Sequence, residues 1–417
     1  MKLLINLCAH DGIISHYNGV GTMAIRYITT LVKALNTMNV DFKINLFTPD
    51  YNKNSFGYSA TTEEDHNKIK NINIFRVSNG SNAKINYGKP NNWKELSKNT
   101  AEIINKIDIN AYDKIFTIFN DTPFAGLAQL IESNPKHKKI WIPHSTIKIH
   151  EVDSAVKDYE GVYDERLVWE NNAIKFINED EDSYLGSIGN FISKHLIEEY
   201  NLLESKILKI TNGELLTETC KTIISDENAM LFDKIKDFDS ILFSFGRAET
   251  YKNLDATMYL GEELNINTIV VAQSYFKEQP ILNEYKKIAE QTSSLLYIDP
   301  PFDFPKYILQ NFTKPIILLV SSKRETMGLI VNEIRKLNRD NILVVANDID
   351  GIKEQINDTK DGLLVDLENI KKSRDKILNY FNQPKINEMN HEAQLTLKSK
   401  YDLEKNVHNF LISLMAV

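Results

Sequence analysis

The sequence contains little cysteine. Among its 417 residues only Cys8 and Cys220 occur, far apart and without the spacing of metal ligands. A disulfide framework is therefore excluded, and the composition fits a reducing compartment. We expect a cytoplasmic protein in which both thiols are packing residues.

An excess of basic residues is also missing. The formal net charge of -8 argues against a nucleic-acid backbone as the main partner, because neutralising phosphates requires an excess of Lys and Arg. With 57 acidic residues, short acidic runs such as Asp180–Asp182 and Asp348–Asp350 arise by chance, so we predict no metal site. We interpret Lys89–Thr100 and Asn178–Ser183 as solvated loops.

Long apolar runs are missing as well. The apolar N-terminal stretch ends before His10 and Asp11, which is too short for the core of a signal peptide or for a membrane span. No clear basic amphipathic helix is present, so we expect no stable membrane insertion, although peripheral membrane contact is compatible with the sequence. We interpret the N-terminal stretch as a first buried strand.

What the chain does contain is short apolar runs that alternate with segments of helical periodicity, a pattern typical of βαβ units and buried parallel sheets. At about 150 residues per domain, the length favours two domains, and Thr211–Asp239, with its Asn-Gly and acidic helical stretch, marks the boundary. We predict an α/β protein with Rossmann-like domains at residues 1–213 and 214–386. The predicted strands are Lys2–Leu7, Phe42–Phe47, Ile74–Val77, Lys114–Ile118, Lys139–Ile142, Leu185–Ile188, Ser240–Phe245, Thr268–Ala272, Ser294–Ile298, Ile316–Val320 and Ile342–Ala346.

A first glycine-containing motif, Asn18–Thr22, lies between the first strand and the apolar helical stretch Met23–Leu35. Glycines such as Gly19 and Gly21 allow backbone amides to approach an anion at a helix N-terminus. The spacing is not the dinucleotide fingerprint, and a tight turn explains the motif equally well.

A second motif, Phe245–Asn253, follows the first strand of the second half. Its two cations, Arg247 and Lys252, are five residues apart before a helix, which suits a diphosphate clamp with a bidentate arginine and a point-charge lysine. An exposed basic pair is the alternative interpretation.

A third motif, Glu325–Glu333, follows the buried run Ile316–Val320. One carboxylate at the strand end and a second two turns into the next helix present acceptors to sugar and ribose hydroxyls. The amides around Gly328 lie at the start of that helix, where an anion is favoured. Two glutamates eight residues apart are otherwise common.

Taken in order, these residues resemble the signature of family-4 retaining glycosyltransferases of the GT-B fold. Gly246-Arg247 with Lys252 matches the family's G-R-x4-K loop, and Glu325 with Glu333 matches its E-x7-E motif. The resemblance spans nearly the whole chain and implies two Rossmann-like domains with parallel sheets facing across a cleft. Further similarities are Ile210–Gly213 to the I-P-N-G segment, Asp348–Glu354 and Asp361–Val365 to the late G-G-x-x-E and G-L-L-V segments, Asn18–Gly21 to the G-G-x-G loop, and Trp141–His144 to the strand ending in histidine.

The resemblance also implies roles. Arg247 and Lys252 would neutralise the diphosphate leaving group, Glu325 would hold sugar hydroxyls, and His144 would contact the sugar near the anomeric centre, helped by Ser145. A lone histidine is as readily a structural residue. The residues implied in donor binding are Gly19, Gly21, Thr22, Gly246, Thr326, Met327, Gly328, Leu329 and Glu333, the last at the ribose. The helical segment 387–417 would return to the first domain.

The implied reaction uses a nucleotide diphosphate sugar, UDP- or GDP-linked, as co-substrate and no cofactor. Because no closely spaced carboxylate pair is evident, we favour front-face displacement with retention, in which Arg247 and Lys252 replace a metal. Thr326-Met327 stands where the family has Gly-Phe, so the sugar pocket differs from the family pattern.

We expect the acceptor to be a soluble small molecule, glycan or protein with a hydroxyl or amine group. Acceptor contacts are expected from the first half, at Asp11–Tyr17, where Asp11 and His16 are the candidates, and at His150–Trp169. Two other functions stay open: a retaining disaccharide phosphorylase or synthase on the same scaffold, and a non-catalytic GT-B protein that binds glycans or assists a partner.

Overall fold

The computed structural model describes residues 1–55, 57–81, 88–150, 162–219, 222–274 and 279–417. They form two compact units, Met1–Asn212 with Leu403–Val417, and Gly213–Asp402. This division falls one residue before the boundary expected from the sequence. It also shortens the expected returning segment, because residues 387–400 belong to a helix of the second unit and the return begins at Leu403. Cys220 lies outside the described residues.

The first unit contains a parallel sheet of seven strands in the order β3-β2-β1-β4-β5-β6-β7. All six strands predicted for this unit differ from the observed ones by at most two residues at either end, whereas the last strand, β7, was not predicted. The strands are β1 Lys2–Cys8, β2 Asp41–Pro49, β3 Ile72–Val77, β4 Lys114–Asn120, β5 His137–Ile142, β6 Ser183–Ser187 and β7 Ile207–Lys209. The helices are α1 Gly19–Thr37, α2 Ala60–Asn67, α3 Pro90–Ile104, α4 Ile147–His150, α5 Val162–Glu179, α6 Asn190–Tyr200 and, after the second unit, α15 Leu403–Ala416.

The second unit contains a parallel sheet of six strands in the order β10-β9-β8-β11-β12-β13. Counted within the unit this is 3-2-1-4-5-6, the doubly wound order in which ligands bind beyond the carboxyl ends of the strands where the order reverses. The strands are β8 Ile241–Arg247, β9 Asn267–Gln273, β10 Leu295–Ile298, β11 Ile316–Val320, β12 Ile342–Asn347 and β13 Leu363–Val365. The helices are α7 Asp226–Phe232, α8 Leu254–Leu264, α9 Pro280–Gln291, α10 Phe304–Asn311, α11 Leu329–Leu337, α12 Ile352–Gln355, α13 Ile370–Tyr380 and α14 Gln383–Lys400.

The strands of the second sheet are buried on both faces. Alternate residues of β8 and β11 enter different apolar clusters: Phe243 and Leu318 pack in one, and Leu242 and Ile317 pack in another. All five residues of β11 are buried, which explains why this strand reads as an uninterrupted apolar run rather than an alternating one.

Of the two segments interpreted as loops from their composition, one is helical. Lys89–Thr100 lies mostly within α3, whose Trp93 and Leu96 are each 1% exposed and belong to its buried apolar face. The many Asn and Lys residues make this amphipathic pattern hard to recognise in the sequence. The acidic residues Asp180–Asp182 form the turn between α5 and β6, as interpreted from the sequence, and Asp180 forms an ion pair with the buried Lys139 at 2.8 Å.

Candidate functional site

The loop after β8 carries the two predicted cations. β8 ends at Arg247, a 3-10 turn spans Thr250–Lys252, and α8 begins after Asn253, whose φ of 53° lies in the left-handed region that Asn tolerates. A Cβ built on Gly246 would lie 3.8 Å from the Lys252 side chain, so the lysine stem packs closely over this glycine.

The loop after β11 meets the β8 loop. Lys252 Nζ donates to Glu325 Oε1, and Ser322 Oγ donates to the same oxygen at 3.0 Å. Ser321 Oγ donates to the Lys252 carbonyl at 2.7 Å, and the Lys323 N–H donates to the Tyr251 carbonyl at 2.7 Å. The structure therefore brings the predicted residues Lys252 and Glu325 into direct contact at the switch point of the sheet.

Arg247, Glu249, Lys252 and Glu325 form a cluster of alternating charge, called here the charged cluster. Arg247 Nη2 lies 3.1 Å from Glu249 Oε2, and its guanidinium also donates to the Tyr251 hydroxyl. Burial lowers the pKa of Arg247, but Tyr251, Glu249 and Glu325 outweigh it and hold this pKa above its ordinary value. Arg247 therefore stays charged, and the formal charges of the four side chains sum to zero.

The start of α11 is fixed by α12. The Gly328 N–H donates to Gln355 Oε1 at 2.9 Å, and Gln355 Nε2 donates back to the Gly328 carbonyl at 3.1 Å. The preceding turn packs against Gly351, where a Cβ would lie 1.8 Å from the Thr326 carbonyl oxygen. Gly351 is therefore required for this close backbone approach.

The other predicted donor residues lie along this segment. Met327 is buried, Thr326 and Leu329 are half-buried, and Glu333 is half-buried in the second turn of α11. Arg335, on the same helix, is buried and forms an ion pair with Asp361 at 2.9 Å. This pair ties α11 to the segment that precedes β13.

In the first unit, Asp11 organises the loop that precedes α1. It is fully buried, and its carboxylate accepts from the N–H groups of Gly12, Tyr17 and Asn18 and from Ser15 Oγ, at 2.7–3.1 Å. These hydrogen bonds hold the loop together, and a contact between Asp11 and an acceptor stays a prediction.

Gly21 allows that arrangement. A Cβ on Gly21 would lie 2.1 Å from Asp11 Oδ2, so only glycine leaves room for the carboxylate against the first turn of α1. Asn18 caps the helix by accepting from the Gly21 N–H at 2.9 Å. His16 is exposed and its Nε2 lies 3.0 Å from Thr22 Oγ1, while Gly19 is also exposed. His16, Gly19 and Thr22 are therefore the accessible members of this predicted set.

His144 lies beside polar residues that follow neighbouring strands. His144 Nε2 is 3.4 Å from Asn120 Oδ1, and His10 Nδ1 is 3.8 Å from Asp121 Oδ2. Burial lowers the pKa of His144 to about 4, against the opposing charge of Asp121, so the ring is neutral at pH 7. We call His10, Asn120, Asp121 and His144 the histidine cluster.

A buried glutamate joins the two loops of the histidine cluster. Glu170 is fully buried; it accepts from Arg166 Nε at 2.7 Å, from Tyr200 OH at 2.7 Å and, through both oxygens, from the Ile147 N–H. Arg166 Nη2 also donates to Thr122 Oγ1 at 3.0 Å, next to Asp121. Glu170 and Arg166 thus hold the Asp121 turn and the His144 loop together.

Sequence reasoning did not select His10, Asn120 or Asp121 as site residues. Only their position in the sheet could have identified them. His10 follows β1, Asn120 ends β4 and Asp121 follows β4, and the strand order of the first sheet reverses between these two strands. Of the predicted acceptor stretch His150–Trp169, residues 151–161 lie outside the described residues, and Trp169 is buried with its indole donating to the Thr122 carbonyl at 2.9 Å.

Within the described ranges, no group of three or more His, Cys, Asp or Glu side chains is placed to share a metal ion. None of the helices in the part of the chain that the structure describes is long and apolar enough to cross a membrane.

Fold and site together define the class: the chain has the GT-B fold of glycosyltransferases. Sucrose-phosphate synthase from Thermosynechococcus elongatus is 14% identical, with a TM-score of 0.73 over 100% of both chains. A glycosyltransferase from Rickettsia africae ESF-5 is 15% identical, with a TM-score of 0.67 over 100% of this chain and 98% of that one. Anabaena HepE in complex with UDP-glucose is 12% identical, with a TM-score of 0.67 over 99% and 100%. Neither a scan against protein-family models nor a search of curated proteins finds a match.

Proposed function

We propose that this protein is a retaining glycosyltransferase that moves a hexose from a nucleotide diphosphate sugar to a hydroxyl or amine acceptor. The observation that carries the proposal is the charged cluster, in which Lys252 and Glu325 touch beside Arg247 where the strand order reverses. This is where a doubly wound sheet binds a ligand, and the GT-B fold supports the same chemistry.

In the proposed reaction, Arg247 and Lys252 bind the diphosphate and stabilise the negative charge that grows on it as the glycosidic bond breaks. Glu325, held by Ser322 and Lys252, accepts hydrogen bonds from sugar hydroxyls. Glu333 binds the ribose. These cations supply the charge that a metal would otherwise provide, so the reaction proceeds without one.

The first unit binds the acceptor and contributes to the sugar site. His144, neutral because of its burial, offers hydrogen bonds near the anomeric centre without adding positive charge there. Gly19, Gly21 and Thr22, at the start of α1, close over the phosphate or the sugar. We propose a soluble small molecule, glycan or protein as the acceptor.

The test begins with the donor. A panel of UDP- and GDP-sugars is screened by thermal shift, with UDP-glucose first because HepE is described in complex with it. Turnover of the best donor is then measured for Lys252→Ala and Glu325→Gln, which should lose about 100-fold or more with unchanged unfolding temperatures. Lys287→Ala, an exposed lysine on α9, is the matched control and should retain full activity.

Three outcomes reject the proposal. Near-normal turnover of Lys252→Ala and Glu325→Gln excludes the charged cluster as the catalytic site, and absence of nucleotide binding favours a non-catalytic GT-B protein. A requirement for free phosphate in place of a nucleotide identifies a disaccharide phosphorylase. The anomeric configuration of the product, determined by NMR, tests retention separately.

A further inference from the structure

A carboxylate of the β8 loop already occupies one face of Arg247. Glu249 Oε2 lies 3.1 Å from Arg247 Nη2, and the two side chains are 24% and 38% exposed. Arg247 is the residue that the proposed function assigns to the donor diphosphate. An anion that binds Arg247 through the same nitrogen must therefore displace Glu249.

Backbone hydrogen bonds of the loop hold Glu249 next to Arg247. The Glu249 N–H donates to the Arg247 carbonyl at 2.8 Å, which turns the chain tightly between them. The Glu249 carbonyl accepts from the Lys252 N–H at 3.0 Å and from Tyr285 OH at 3.3 Å. The backbone of Glu249 is thus anchored two residues from Arg247, so its carboxylate stays tethered beside the guanidinium even when its side chain turns away.

Tyr251 supports both cations from one side. Arg247 Cζ lies 5.9 Å and Lys252 Nζ 5.0 Å from the centre of its ring, distances typical of cation–π contacts. Burial raises the pKa of Tyr251 well above its ordinary value, so the phenol is neutral. The cations are therefore held in place, and the carboxylates alone decide how much positive charge they present.

The formal charges of the charged cluster determine how strongly it attracts a diphosphate. Arg247 and Lys252 are offset by Glu249 and Glu325, so a diphosphate with at least two negative charges meets a cluster of zero net charge. In the proposed function, Glu325 accepts hydrogen bonds from sugar hydroxyls, whereas Glu249 has no assigned contact with the sugar. Its charge acts on the diphosphate only by repulsion and by competition for Arg247.

We propose that Glu249 is an internal competitor for Arg247, which weakens binding of the diphosphate group and promotes release of the nucleoside diphosphate product. This inference rests on the proposed function. The Glu249 carboxylate acts as a tethered anion that exchanges with the phosphate of the ligand at Arg247. Because product release often limits turnover in enzymes of this kind, a weaker product complex favours a higher rate.

The experiment measures UDP binding, and GDP binding in parallel, by titration calorimetry at low and moderate salt. Glu249→Gln should bind the diphosphate about tenfold more tightly than the wild type. Glu249→Ala removes the same carboxylate and should show the same gain. Glu262→Gln, which removes an exposed carboxylate from α8, is the matched control and should bind like the wild type.

A double-variant cycle separates competition from a general charge effect. In an Arg247→Ala background, adding Glu249→Gln should bring little of the tenfold gain, because there is no guanidinium left to release. If the gain persists in full, or if Glu249→Gln and Glu249→Ala bind like the wild type, the inference is wrong while the proposed function stands. If the wild type binds neither UDP nor GDP, the proposed function fails together with it.

Discussion

The backbone at Asp121 gives the sharpest test of the structure. Its φ of 66° and ψ of 176° lie in a region that is almost exclusive to glycine and costs other residues about 1–3 kcal/mol. The conformation is held on both sides, since the Asp121 N–H donates to the Ile142 carbonyl at 2.9 Å and the Trp141 indole donates to the Asp121 carbonyl at 3.1 Å. Strain of this kind is concentrated at functional sites.

The comparison of Asp121→Ala with Asp121→Gly isolates the strain, because both variants lose the carboxylate and its contact with His10. Alanine keeps the strain of about 1–3 kcal/mol, whereas glycine relieves it and loses about 0.5–1 kcal/mol through the greater freedom of the unfolded chain. From the midpoints of these two ranges, the glycine variant should be more stable than the alanine variant by about 1 kcal/mol.

Urea unfolding followed by tryptophan fluorescence is the appropriate assay. The three tryptophans, Trp93, Trp141 and Trp169, all lie in the first unit, so the signal reports on that unit alone. The exposed helical residue Asp65 provides the control, where alanine should be more stable than glycine by about 1 kcal/mol. An alanine variant at position 121 that equals or exceeds the glycine variant in stability would refute the argument.

Further predictions concern buried charges. Asp361→Ala should destabilise the second unit by about 3–5 kcal/mol in urea unfolding, because it leaves Arg335 buried without its partner, and Arg335→Met in the same chain should recover part of this loss. Burial lowers the pKa of both His137 and His144 to about 4. The unfolded chain, with histidine pKa values near 6.5, binds protons first as the pH falls. Stability of the first unit is thus complete above about pH 6.5 and declines towards pH 4, by up to about 3 kcal/mol per histidine. The urea midpoint measured across this range should fall, and His137→Gln should flatten the decline; an unchanged profile would contradict the assignment. Glu170→Gln should lower the stability of the first unit by about 3 kcal/mol, as measured by urea unfolding with tryptophan fluorescence. A change below about 0.5 kcal/mol would show that the hydrogen bonds of the Glu170 carboxylate do not stabilise the unit.

Regular elements with uninterrupted patterns were predictable from the sequence. β11 has the predicted bounds, Ile316–Val320, because five consecutive apolar residues between polar segments match a buried strand. The short β7 was missed because three residues carry too little pattern. α3 was missed because its composition outweighed the spacing of its apolar residues.

The contacts within the sites were much less predictable. The order Arg247, Lys252 and Glu325 was visible in the sequence, but the pairing of Arg247 with Glu249 depends on the tight turn between them. Asp11 looks exposed because it lies in a polar loop. It is buried because Gly21 leaves a space for its carboxylate, and such a space depends on backbone geometry.

The two sheets present different chemistry at their carboxyl ends. The second unit offers two cations paired with carboxylates, and Tyr251, Glu249 and Glu325 hold the pKa of Arg247 above its ordinary value, which suits the negative charge of a departing diphosphate in the proposed reaction. The first unit offers a histidine that burial keeps neutral, together with the carboxylate of Asp121, whose backbone is strained. An imidazolium would oppose the positive charge that develops on the sugar ring in the proposed reaction, whereas a neutral ring and a carboxylate do not. In the proposed reaction the burial of His144 would therefore favour the transition state, although it lowers the stability of the unit in acid.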